Sequence, residues 1–127
     1  MTKKAKTFLV AGSLNAMLAV ILGAFGSHGL KNIISIQLLA TYNTGVQYHF
    51  YHALGLLAVG LLMQVHGETI WLKWSGWLML TGIILFSGSL YILVLTATNW
   101  IGVITPFGGL CFITAWGMMA WSVYRKN

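Results

Sequence analysis

Acidic residues are almost missing from this chain. Among 127 residues there is one, Glu68, against seven Lys and Arg, and charged side chains make up 6% of the total. A water-soluble domain of this length carries about a quarter. So little charge excludes a disordered chain and an ordinary soluble enzyme. A single carboxylate also leaves a Ser-His-Asp triad or a carboxylate pair short of its acidic member. The single cysteine, Cys111, cannot close an internal disulfide. The single proline, Pro106, sits where a last apolar run begins, and a first helical turn tolerates it because its missing N–H had no partner there.

What is present is apolar. The hydrophobic fraction is 58%, gathered into four runs at about 8–25, 45–63, 74–95 and 102–124. The first, at 1.5 Å per residue, reaches roughly 27 Å, enough for a thin bilayer. None alternates apolar and polar side chains, so a strand barrel is set aside. The expected fold is all-α: a single domain over 1–127, a four-helix transmembrane bundle. The basic start KKAK followed by an apolar run could open a signal peptide, but three further spans follow, and a retained first helix is expected.

The net charge of +6 invites a nucleic-acid reading. The bases are not on one face, however. Lys3, Lys4, Lys6, Lys31, Lys73, Arg125 and Lys126 lie in tails and connections between apolar runs. No nucleic-acid partner is expected; the partner is a lipid bilayer. With four spans, both tails and the 64–73 connection share one side. That side holds every base except Lys31, and the positive-inside rule places it in the cytoplasm. Of the six tryptophans, Trp71, Trp74, Trp77 and Trp100 flank the third run and Trp116 and Trp121 lie in the fourth; most are expected to anchor at the interfaces.

The link between the first two spans is too rich in Ile and Leu for an exposed loop. Ile33, Ile34, Ile36, Leu38 and Leu39 can form one apolar side, with Ser35 as cap. A short interfacial helix at about 33–43 is expected at the outer surface, separate from the second span or continuous with it. Small residues recur in the spans, among them Gly12, Ala16, Gly76, Gly82, Gly88, Gly108, Gly109 and Gly117. They allow close helix packing within one bundle, or a homo-oligomer through Gly-rich faces.

Function would reside in polar groups inside the spans, which are costly in lipid and turn toward the bundle interior. His49 and His52 are three apart and Tyr48 and His52 four apart, so they are expected on one helical side, flanked by Tyr51. His52 falls roughly 10 Å below the outer end of the second span. Ser87, Ser89 and Tyr91 lie at similar depth in the third, and Asn15 lies near the middle of the first. His28, just past the first span, could cap the same pocket.

These nine residues form the candidate polar site. Imidazoles could ligate a metal or haem iron, but His28, His49 and His52 are one ligand short of a closed zinc site. No metal or other cofactor is assigned. A proton or ion path could use His without a carboxylate, yet a short bundle lacks the inverted repeats and broken spans of a transporter. Catalysis is the less supported reading. The preferred one is a structural or accessory protein whose His and Tyr groups join helices. The alternative is a binder or conductor of a small molecule, lipid, ion or metal cofactor through the outer-half cluster.

Four stretches, GAFGSHGL at 23–30, VQYHFYHALGLL at 46–57, GIILFSGSLYILVLT at 82–96 and ITPFGGLCFITAW at 104–116, resemble in order and separation the blocks of the uncharacterised small membrane proteins of domain-of-unknown-function family 423. The resemblance covers nearly the whole chain. It implies a four-span bacterial inner-membrane protein, and no activity comes with it. It also implies that any shared site rests on His28, Tyr48, Tyr51, His52, Ser87, Ser89, Tyr91 and Pro106, because His49 stands where the family usually has Gln.

Overall fold

The computed structural model describes residues 1–125. Lys126, counted above among the tail bases, lies outside the described residues. Four helical spans run Lys3–Leu30, Ile36–His66, Ile70–Thr96 and Asn99–Arg125, each long and apolar enough to cross a membrane. Among the described residues there is no strand. The fold is an all-α four-helix bundle.

Local chemistry sets the ends. α1 (Lys3–Phe25) begins where the Thr2 side chain accepts from the Ala5 N–H, and it widens into a π-helical turn at Gly26–Leu30. α2 (Ile36–His66) begins with Ser35 accepting from the Leu38 N–H. It ends at Gly67, whose φ of 85° is open to glycine and whose N–H returns to the Met63 carbonyl. α3 (Ile70–Gly82) is capped by Thr69. It continues through a π-helical segment, Ile83–Gly88, into α4 (Ser89–Thr96). A 3-10 turn at Asn99–Val103 leads to α5 (Thr105–Arg125), with Pro106 in its first turn.

The expected interfacial helix takes its continuous form: the segment is the first two turns of α2 and not a separate element. Its apolar residues divide. Ile34, Leu38 and Leu39 pack beside Leu30, Tyr42 and Val94, whereas Ile33 and Ile36 are exposed. Its polar residues cost the helix little, because Thr41 and Thr44 return their hydroxyls to the Gln37 and Ala40 carbonyls.

α2 and the third span are central; α1 packs mainly on α2, and α5 mainly on the third span. Glycines permit these crossings. A Cβ on Gly12 would lie 2.9 Å from the Ala53 carbonyl oxygen and the Leu57 nitrogen, both backbone. At Gly76 and Gly82 it would meet the rings of Phe8 and Phe112, and at Gly108 the backbone of Phe86. These four glycines are therefore spent on packing within the chain, whereas a Cβ on Gly117 would meet nothing within 4 Å.

Two apolar cores result. The larger gathers Phe8, Leu56, Met63, Leu72, Met79 and Phe112 among others, and the smaller holds Leu30, Tyr42 and Val94. The tails and the link between α2 and α3 meet at one end. Lys4 lies 4.0 Å from Glu68, and the Thr69 and Ser122 hydroxyls are 2.7 Å apart. The bases other than Lys31, within the described residues, therefore gather at that end.

Candidate functional site

The polar residues lie along the helices between the two cores, and they separate into distinct groups. His49 and His52, expected on one side, diverge. Three residues in a helix differ by about 60° in direction. On a central helix that is enough to address different neighbours.

His49 is buried and joins three helices. Its Nε2 lies 2.9 Å from Asn15 Oδ1 on α1, and its Nδ1 lies 2.9 Å from the Tyr91 hydroxyl on α4. The Asn15 amide is oriented by its own helix, because Nδ2 donates to the Ala11 carbonyl at 2.8 Å. Oδ1 must therefore accept, and His49 Nε2–H must donate. In the neutral ring Nδ1 is then the acceptor, and the Tyr91 O–H donates to it. Nearby, Tyr42 donates to the Leu22 carbonyl at 2.6 Å, tying α2 to α1, and Ser87 donates to the Gly45 carbonyl at 2.7 Å. Ser87 and Tyr91 thus both face α2, as their spacing of four predicts.

His52 turns toward α5. Its Nδ1–H donates to the Tyr48 carbonyl at 2.7 Å, and its Nε2 accepts from the Trp116 indole N–H at 3.0 Å. Its ring stacks on Phe112 with centroids 3.4 Å apart and planes 8° from parallel. With both rings neutral, the histidines hold opposite tautomers, Nε2–H in His49 and Nδ1–H in His52.

The remaining candidates fall elsewhere. Ser89 lines the same groove as Asn15, His49 and Tyr91, but its hydroxyl is engaged with other residues: it donates to the Phe86 carbonyl at 2.8 Å and lies 2.6 Å from the Thr105 hydroxyl at the start of α5. His28 is exposed in the π-helical turn after α1 and caps nothing. Tyr48 and Tyr51 are on the exposed side of α2, at 38% and 52%. His28, His52, Ser87 and Tyr91, which a binder would need around one pocket, do not line one groove: Tyr91 and His52 border different grooves and the other two neither of these. His28, His49 and His52 do not converge either, and no group of three or more His, Cys, Asp or Glu is placed to hold a metal ion among the described residues. Neither buried imidazole retains a free nitrogen for a ligand bond.

Trp116 and Tyr42 escaped the sequence reading. Trp116, inside the fourth run, is no interfacial anchor: it lies near the middle of its span and serves His52. Its position carried the signal: an indole N–H deep in hydrocarbon needs an internal partner, whereas one at the interface has water. Tyr42 sits in the link, three residues before the second apolar run at 45–63. It is 1% exposed.

Two grooves flank these joints. One of about 430 Å³ lies beside Asn15, His49, Tyr91 and Ile104, between α1 and the third span. The other, of about 500 Å³, lies between α2 and α5 and is lined by Tyr48, Tyr51, His52, Phe86, Phe112 and Trp116, with Gly109 and Ile113.

The family model described as "Protein of unknown function (DUF423)" matches residues 22–109. The UPF0382 membrane protein YwdK of Bacillus subtilis is 51% identical over 114 residues, covering 90% of this chain and 93% of its own length. The UPF0382 membrane protein SSP2132 of Staphylococcus saprophyticus is 48% identical over 120 residues, covering 94% and 98%. No solved structure matches. Neither relative's name assigns an activity, and both describe a membrane protein. The family match runs through His49, His52 and the start of α5, and on that span of sequence this chain belongs to the DUF423 family of membrane proteins.

Proposed function

We propose that the protein is a structural or accessory component of a bacterial plasma membrane, crossing it four times with both termini in the cytoplasm. One observation carries the structural role: both nitrogens of His49 and both of His52 are engaged within the chain. Groups arranged this way connect helices. α2 has no hydrophobic drive to hold its neighbours in lipid, and interhelical hydrogen bonds and close glycine contacts supply the hold instead. The orientation rests on the bases gathered at the end that carries the termini. For self-association the free small-residue position is Gly117 on α5, where an added Cβ meets nothing within 4 Å.

The test of the structural role is unfolding in mixed micelles. His49→Ala and His52→Ala should each lower the SDS midpoint while helical content persists at low SDS. Unchanged midpoints in both would remove the proposed joints. Reporter fusions at either terminus should be active only with a cytoplasmic reporter, and a fusion in the connection near Lys31 only with an exported one.

A further inference from the structure

We propose that the groove between the start of α3 and the end of α5 holds the headgroup phosphate of an acidic phospholipid. This goes beyond the structural role above. It rests on the four-span placement, and it stands whichever side of the membrane this end faces.

The bases of this end have almost no acidic counterpart. Lys3, Lys4, Lys6, Lys73 and Arg125 gather here with one carboxylate, Glu68, and that carboxylate lies beside Lys4. No other ion pair forms among the described residues, so Lys3, Lys6, Lys73 and Arg125 are left without an acidic partner there. The third span begins here at Ile70 and the fourth ends here at Arg125, which sets these bases at the level of the headgroups. Bases in this position attract acidic lipid.

Diffuse attraction becomes a site where donors converge. A groove of about 300 Å³ is lined by Thr69, Ile70, Trp71, Ser122 and Arg125. Thr69 Oγ1 accepts from the Leu72 N–H at 3.1 Å and lies 2.7 Å from Ser122 Oγ. Two hydroxyl hydrogens share that single contact, so whichever oxygen donates, one hydrogen has no acceptor among the described residues. Ser122 is only 4% exposed, which limits what water can do for it. The Ile70 and Trp71 N–H groups, in the first turn of α3, have no helical partner either. Arg125 adds a guanidinium fork, which suits phosphate oxygens. All these groups donate, and a phosphate monoanion brings acceptors and charge together.

The surroundings select a lipid over a free anion. Trp71 and Trp121 meet edge to face with centroids 6.4 Å apart, and the Arg125 guanidinium lies 6.0 Å from the Trp121 ring. Ile70 and Trp121 are exposed beside the groove. Indoles at this level pack on the glycerol and the first methylenes, and the acyl chains continue into the bilayer.

Brominated lipids provide the test, because bromine quenches the tryptophans a lipid touches and Trp71 and Trp121 border the groove. The full chain is reconstituted in phosphatidylcholine, which is then replaced stepwise by chain-brominated phosphatidylglycerol or, as reference, chain-brominated phosphatidylcholine. Phosphatidylglycerol should show a preference of about threefold or more, part of it persisting at about 0.5 M salt, where exposed charges are screened. Arg125→Gln should bring that preference to about one, with an unchanged SDS unfolding midpoint. Lys3→Gln with Lys6→Gln, outside the groove, should leave the high-salt preference intact. Equal affinity for the two lipids, a preference lost entirely at high salt, or one retained in Arg125→Gln would overturn the proposal. So would displacement of the lipid by millimolar inorganic phosphate, since the site would then serve a free anion. None of these results depends on the unfolding midpoints of His49→Ala and His52→Ala, so the proposal and the structural role can fail separately.

Discussion

His49 and His52 are three residues apart on one helix, yet they build opposite kinds of contact. At His49 the donors and acceptors of α1, α2 and α4 close on one another: Asn15, His49 and Tyr91 form a chain in which each polar atom has a use. At His52 the ring is equally well held by Tyr48 and Trp116; a groove flanks each joint, but the one beside His52 carries two exposed phenols. The bonded partners are the physical difference. His49 bonds to side chains of two other helices, α1 and α4. His52 bonds to one side chain of α5, Trp116, and to a carbonyl of its own helix, while Phe86 of the third span packs on the same side. A ring bonded to two neighbouring helices holds both; one bonded to a single neighbour holds one.

Substitutions rank the two sides. His49→Ala should have the largest effect, because it removes two interhelical bonds, leaves Asn15 Oδ1 and the Tyr91 hydroxyl unpaired and opens a cavity. The expected loss is about 2–4 kcal/mol in an SDS unfolding titration. His52→Ala removes one interhelical bond and the stack on Phe112, beside a groove that lipid can enter, and about 2–3 kcal/mol is expected by the same titration. Tyr91→Phe keeps the ring and breaks one bond to His49, for about 0.6–1.7 kcal/mol. Tyr48→Phe and Tyr51→Phe break no bond within the chain. Each should change stability by less than about 0.5 kcal/mol, or raise it. If Tyr48→Phe cost as much as Tyr91→Phe, the distinction between a bonded and an exposed phenol would fail.

The bundle itself was legible in the sequence, because run length and charge placement act through bilayer thickness and leave few alternatives. Ser35 and Pro106 were legible as helix starts for the same local reasons that place them there. The start of the second span was harder. Thr41, Asn43 and Thr44 read as polar, and only the helix shows two of these hydroxyls bonding back to carbonyls four residues earlier. The partners of the histidines depended on which neighbours flank α2, and spacing within one helix carries no information about that. Ser87 and Ser89, two apart on one helix, point about 200° from each other, so their separation was legible; the close approach of Gly108 to Phe86, which brings α5 alongside the third span, was not. His28, attractive as a third imidazole, belongs to a turn whose side chain faces outward.

The account's central claim is that both histidines are neutral joints committed to fixed partners. Nitrogen-15 NMR of imidazole-labelled protein in lipid bilayers at neutral pH tests it most directly. The predicted result is two neutral rings of opposite tautomer: Nε2–H in His49, coupled to Asn15, and Nδ1–H in His52, with Nε2 accepting from Trp116. A charged ring at either position, the same tautomer at both, or His52 signals unchanged by Trp116→Phe would contradict it.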